Sequence, residues 1–243
     1  MGERWSEQHL LQSDNCDFKK QCRLTTLLEW MQRAGDAHLA DNGIMLDQMI
    51  QQGMAWMLVT VDLELHRQPQ YNEQIQVETW HKGSKGVQWF REYRISDQAG
   101  EVIGQARTTW VLVDIHKRRI LRASAFPFTV PAVPEDVDNI TASRVEMSNE
   151  IVLEPVYEYT VRQSSLDMNG HMNNARFADV CLDALTSEQL AGKLKRFHIT
   201  YHHEATLGQA FHVSRSNEPC GEVYICGSSS EGTRYFDVCL TIE

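Results

Sequence analysis

Apolar residues recur along this chain with two periods. From Leu24 to Leu39 they fall at helical spacing, with Leu24, Leu27, Leu28, Met31 and Ala34 on one face. Strand-like runs follow at Trp56–Leu65 (WMLVTVDLEL), Gln74–Trp80, Val87–Ile95 and Gln105–Ile115. Turn clusters separate them at Gln68–Asn72, Lys82–Gly86, Asp97–Gly100 and His116–Arg119. The order then repeats. A helix over Asn174–Leu185, with Phe177, Val180, Cys181, Ala184 and Leu185 inward, precedes strands at Phe197–His203, Gln209–Ser214, Glu222–Gly227 and Tyr235–Ile242. The chain reads as one α+β unit written twice, each copy a helix followed by an antiparallel meander. One helix cannot cover both faces of such a sheet. Each sheet is therefore expected to wrap around its helix and the halves to pair. Residues 131–147, with two prolines, several acids and no period, read as a linker between an N-terminal half, 1–130, and a C-terminal half, 148–243.

The second helix is preceded by Leu166-Asp167-Met168-Asn169-Gly170-His171-Met172-Asn173-Asn174. Alternate residues of an extended backbone share a face, which would group Asp167, Asn169 and His171. Unpaired N–H groups at a helix start would lie beside them. A carboxylate, an amide and an imidazole next to such donors can activate a water and hold a developing oxyanion. A turn and helix cap accounts for one such residue, so spacing alone leaves both readings open. The matching place in the first half is Asp17-Phe18-Lys19-Lys20-Gln21, which keeps only the aspartate.

Composition narrows the classes. The 243 residues carry a net charge of −10, which argues against nucleic acid and against an anionic membrane surface as partners. No run approaches the length of a membrane span, and the start lacks the regions of a signal peptide. The six cysteines include no C-x-x-C pair, so free thiols in a reducing cytoplasm are expected. No metal-ligand spacing or phosphate loop stands out, and no cofactor is expected.

The D-x-N-x-H-x-N-N pattern at Asp167–Asn174 and the later Ile199-Thr200-Tyr201-His202-His203-Glu204 resemble the acyl-ACP thioesterases. These are enzymes that end fatty-acid synthesis in plant plastids and have bacterial relatives. Gly53–His66 (GMAWMLVTVDLELH), Val77–Trp80, Arg91–Ser96, Gly100–Gly104 and Thr109–Leu121 (TWVLVDIHKRRIL) resemble the family in order and spacing, so the likeness covers nearly the whole chain. It implies a double hotdog fold and a catalytic group at Asp167, Asn169, His171 and Glu204. Two departures stand out. Ala205 occupies the place where the plant members usually have a cysteine, which excludes a thiol nucleophile there. His202-His203 replaces their Arg-Arg pair. The short N-terminus lacks a plastid-targeting extension, and a bacterial cytoplasmic enzyme is expected.

The resemblance implies hydrolysis of a fatty acyl thioester on acyl carrier protein. Asn169 and the helix start would polarise the thioester, Glu204 and His171 would activate water, and Asp167 would hold the network or itself attack. Met45, Met49, Met54, Trp56, Met57 and Val59 form a flexible apolar run suited to an acyl chain, or to plain core. Lys193, Lys195 and Arg196 are a candidate docking patch for the acidic carrier, and Lys117, Arg118, Arg119 and Arg122 a weaker one. A homodimer is compatible with this reading. The alternatives are an acyl-CoA thioesterase and a non-catalytic acyl-binding hotdog protein.

Overall fold

The computed structural model describes residues 2–133, 143–218 and 221–243. The chain divides into two compact units, one of Met1–Val61 with His66–Ala142, the other of Asp62–Leu65 with Ser143–Glu243.

The first unit opens with β1 (Arg4–Leu10), a strand the apolar pattern does not announce. Its residues alternate only between half-buried and exposed, so it presents no apolar face. Helix α1 (Leu24–Asp41) follows. Leu24, Leu27, Leu28, Met31 and Ala34 are all buried on it as the spacing requires, joined by Trp30 and Leu39. Burial of each large side chain contributes about 1.5–3 kcal/mol, which fixes the rotation of the helix against the sheet. A short helix α2 (Leu46–Gln51) lies inside the methionine-rich run. The meander comprises β2 (Met54–Leu65), β3 (Gln74–Lys85), β4 (Gln88–Asp97), β5 (Val102–Asp114) and the short β6 (Arg119–Leu121). Strand order is β1-β3-β4-β5-β2, with β6 paired to β5. The pairs of β3 with β1 and β4, and of β5 with β4 and β6, are antiparallel.

The second unit repeats this order. It comprises β7 (Glu154–Thr160), α3 (Arg176–Asp183), α4 (Ser187–Ala191), β8 (Leu194–Tyr201), β9 (Ala210–Arg215), β10 (Gly221–Ser228) and β11 (Arg234–Ile242). Its strands run β7-β9-β10-β11-β8, the same arrangement element for element. Phe177, Val180 and Cys181 of α3 are buried, and the Phe177 ring meets those of Phe211 and Phe236 of the sheet. Helix α3 is shorter than the predicted Asn174–Leu185. The Asn173 side chain accepts the Ala175 N–H at 2.9 Å and the Tyr201 hydroxyl donates to the Asn174 carbonyl at 2.9 Å, so the helix starts later.

Both ends of the predicted linker are attached to their own units. Ala132 bridges His81 in parallel, and the Val133 N–H donates to the His81 carbonyl at 2.9 Å. His198 Nε2 donates to the Ser143 carbonyl at 2.7 Å and the Val145 N–H to Thr200 Oγ1 at 2.8 Å. The stretch between, 134–142, lies outside the described residues. No helix among the described residues is long and apolar enough to cross a membrane.

Candidate active site

Asp167 organises a tight loop rather than a strand. Its Oδ1 accepts the N–H of Asn169 at 2.8 Å and that of His171 at 3.1 Å. Its own N–H donates to the His171 carbonyl at 2.7 Å, and its carbonyl accepts the Gly170 N–H at 3.1 Å. The chain turns at Gly170, whose φ of +80° costs a residue with a Cβ roughly 1–2 kcal/mol. A carboxylate bonded to N–H groups two and four residues on curls the backbone. The expectation of an extended segment with three side chains on one face is therefore corrected. The aspartate makes the turn, and the turn presents the other two.

The same loop delivers the fourth residue. His171 forms an isolated antiparallel bridge with Thr206, and the Met172 N–H donates to the Ala205 carbonyl at 2.7 Å. This register puts His171 Nε2 3.5 Å from Glu204 Oε2, with both side chains partly open to solvent. Asn169 is exposed, and its amide nitrogen lies 3.5 Å from Asp167 Oδ2, at the outer limit of a hydrogen bond. Asp167, Asn169, His171 and Glu204 thus meet in one surface cluster of the second unit. Thr206 and Tyr201 share in holding it and were not singled out in the sequence. They act through backbone pairing and a carbonyl, which leaves no side-chain pattern to read.

The donors expected at this helix start are engaged in part. The N–H groups of Asn169, Gly170, His171, Met172, Asn173, Ala175 and Arg176 all donate within the unit.

Ala205, at the place where the plant members usually have a cysteine, is buried. Burial pushes the Cys22 thiol up to about 12 and the Cys239 thiol up to about 11. His202 Nε2 pairs with Asp237 Oδ2 at 2.8 Å, and His203 Nδ1 donates to the Arg234 carbonyl at 2.7 Å. Burial alone would raise the Asp237 carboxyl, but the bonds and charges of His202 and Arg234 outweigh it and hold it below its ordinary value.

The apolar run does not act as one group. Met49 and Met54 are buried in a cluster with Leu39, Ile44, Trp89, Leu112 and Phe126, against which Trp56 packs. Trp56, Trp89 and Phe126 meet in edge and tilted ring contacts 4.8–5.4 Å apart. Met45 is half exposed, while Val59 is buried outside this cluster. Trp89 and Phe126 are far from the methionines in sequence, and only the fold joins them. Of the candidate docking cations, Arg196 makes a two-pronged pair with Asp62 at 2.7 Å, Lys195 lies 3.4 Å from Glu243, and Lys193 is exposed. Among the described residues no group of three or more His, Cys, Asp or Glu side chains is placed to hold a metal ion.

A helix laid on a five-stranded antiparallel sheet, twice in tandem, defines a double hotdog protein. Family models for the N-terminal and C-terminal domains of acyl-ACP thioesterases match residues 2–125 and 150–235, and the chain belongs to the acyl-ACP thioesterase family. Oleoyl-acyl carrier protein thioesterase 2 of Arabidopsis thaliana is 23% identical over 91% of this chain, and the Coriandrum sativum oleoyl-acyl carrier protein thioesterase 22% over 78%. The chain spans 65% and 56% of those two proteins. Among solved structures, an acyl-ACP thioesterase from Bacteroides thetaiotaomicron superimposes with a TM-score of 0.82 at 20% identity, each chain fully covered. A 12:0-ACP thioesterase from Umbellularia californica gives 0.80 at 16% identity, covering 100% of this chain and 98% of its own. At these identities the structural likeness establishes the fold.

Proposed function

We propose that this chain hydrolyses fatty acyl thioesters of acyl carrier protein, releasing free fatty acid and the carrier thiol. The observation that carries the reading is the 3.5 Å pairing of His171 with Glu204 beside the Asn169 amide, in a chain of this family. A water held at the pair gives its proton to it as its oxygen adds to the thioester carbon. The carbonyl oxygen becomes negative, and the Asn169 amide donates to it; one such donor is worth about 10²–10³ in rate. The tetrahedral carbon then expels the thiolate, which recovers the proton from the pair. Asp167 is a positioning residue in this scheme, because its Oδ1 is already engaged by two N–H groups and its removal would unmake the turn.

In this reading the C-terminal half, 148–243, does the chemistry, and the N-terminal half, 1–130, holds the acyl chain at the cluster of Met49, Met54 and Trp56. Carrier docking falls to the Lys193 neighbourhood. The corresponding location is the cytoplasm. The test is release of free thiol from acyl-ACP and from acyl-CoA of equal chain length. Faster turnover of acyl-ACP supports the reading. Preference for acyl-CoA favours the sister activity, and binding without release marks a non-catalytic acyl carrier.

A further inference from the structure

Thirteen large apolar side chains are exposed among the described residues. Six of them fall in one region of the first unit: Met45, Leu46 and Ile50 on and beside α2, Val87 in the β3–β4 turn, and Ile115 and Ile120 on the β5–β6 hairpin. Backbone bonds join these elements. The Gly53 carbonyl, reached from α2 by the Gly53 N–H bond to Ile50, accepts the Ile115 N–H at 2.9 Å. The Ala123 N–H donates to the Gly86 carbonyl at 3.0 Å, which sets the end of β6 beside Val87. A Cβ on Gly53 would stand 2.8 Å from the His116 ring, so hairpin and helix end lie in close contact.

The same region gathers cations. Lys85, Lys117, Arg118, Arg119 and Arg122 are exposed there. The region holds two acids against these five cations: Asp114, which accepts the N–H groups of His116 and Lys117 at 3.1 and 2.9 Å and lies 4.0 Å from Lys117 Nζ, and Asp47, exposed on α2. In a chain of net charge −10, this local excess runs against the whole. Screening over about 8–10 Å lets a patch act on its own neighbours despite that total.

We propose that α2 and the β5–β6 hairpin form a docking surface for an anionic lipid bilayer. Aliphatic side chains on the tips of separate elements enter the headgroup region while lysine and arginine meet lipid phosphates. A protein partner of the same charge would be expected to engage exposed aromatic anchors, and this patch carries none. The layer beneath supports the assignment. Met49, on the inner face of α2, is buried in the aromatic cluster, and Leu121 and Ala123 at the end of the hairpin pack on it. If that cluster holds the acyl chain, as proposed above, its cover is the element that meets the membrane, and a sparingly soluble fatty acid leaves directly into lipid. That use rests on the proposed hydrolysis; the docking itself does not.

The test is co-sedimentation of the intact chain with vesicles of phosphatidylcholine alone and of an equimolar mixture with phosphatidylglycerol. Binding to the mixed vesicles alone, weakened by added salt, is expected. The double variant Lys117→Gln, Arg119→Gln should lower the partition coefficient by roughly thirtyfold, the loss of two cations at an anionic surface. Leu46→Gln with Ile50→Gln should weaken binding while leaving salt dependence in place. All variants should release thiol from a short acyl-CoA at the parent rate. No binding to mixed vesicles overturns the proposal and leaves the hydrolase reading intact; vesicle binding with no thiol release does the reverse. If the charge variant instead loses acyl carrier protein, or if light scattering shows a dimer that the aliphatic variant breaks, the patch belongs to that partner and the lipid assignment falls.

Discussion

The loop after β1 and the loop after β7 can be compared bond for bond. Asp17 Oδ1 accepts the N–H groups of Lys19 and Gln21 at 2.8 and 2.9 Å, as Asp167 Oδ1 accepts those of Asn169 and His171. Gln21 bridges Gln70 as His171 bridges Thr206. The Cys22 N–H donates to the Pro69 carbonyl as that of Met172 does to Ala205. Lys20, at φ +61°, occupies the left-handed place that Gly170 holds at +80°. The backbone device is therefore common to both units. What differs is the side chains it presents. Lys19, Gln21 and Gln68 stand in the first unit where Asn169, His171 and Glu204 stand in the second. The aspartate persists in both because the turn needs it, and the titratable pair is found in one.

The largest effect should come from making the second loop imitate the first. His171→Gln and Glu204→Gln install the first unit's residues on a backbone that already tolerates them. Each should lower turnover on acyl-ACP by about 10²–10⁴-fold with unfolding midpoints near the parent's, since loss of a positioned acid or base has that cost. The double variant should be little worse than the singles, because the two act as one unit. Near-parent turnover in both single variants would remove the site from this loop.

The units can also be separated by acid. His81 is buried in the first unit, its Nδ1–H on the Phe90 carbonyl at 3.0 Å, and burial with the Arg91 charge pushes it down to about 4. The unfolded value is about 6.5, so between these pH values the unfolded chain binds a proton that the folded unit refuses. Stability is complete above about 6.5 and falls as pH drops toward 4, by roughly 3 kcal/mol from this group. All six tryptophans (5, 30, 56, 80, 89 and 110) belong to the first unit, so their fluorescence reports it alone. His81→Gln keeps a donor and should flatten the acid slope of that signal. An unchanged slope would assign the loss to other groups.

The aspartates test whether the shared device is structural. Asp17→Ala and Asp167→Ala each leave two N–H groups unpaired and should cost about 1–2 kcal/mol of stability. The first should lower the tryptophan midpoint and spare hydrolysis; the second should lose hydrolysis. Asp167→Asn retains an acceptor oxygen and should keep a good part of the turnover. Complete loss in Asp167→Asn, with the midpoint unchanged, would point to the carboxylate attacking the thioester itself.

The duplication, the inward face of α1 and the meanders were legible because apolar spacing is set by the period of each element. Strands β1 and β7 were not, since they carry few apolar residues and owe their form to pairing with β3 and β9. Asp167, Asn169 and His171 stand out by type and spacing, but spacing does not give their geometry. Side chain to backbone bonding competes with extension wherever Asp or Asn occurs, and alternation does not record which wins. Glu204 was legible only through family resemblance, because the bridge of His171 to Thr206 that brings it near is long-range. The same holds for Trp89 and Phe126, which reach the methionine cluster through the fold.

The smallest effect concerns the left-handed residue. Lys20 holds positive φ in the first loop at a cost that glycine avoids in the second, and nothing lies within 4 Å of the place where a Cβ on Gly170 would project. The cost at Gly170 is thus one of backbone conformation and not of space. Gly170→Lys should destabilise by about 1 kcal/mol, and Lys20→Gly should be neutral or stabilise by less, because glycine also gains freedom in the unfolded chain. Since the Asp167 bonds still hold the turn, Gly170→Lys should keep measurable hydrolysis, as the first loop keeps its form with lysine in that place. Circular dichroism melts of the two variants, read beside thiol release, check both parts. Collapse of Gly170→Lys to an unfolded or inactive protein would mean that the two loops, alike in their bonds, differ in how tightly the surrounding chain constrains them.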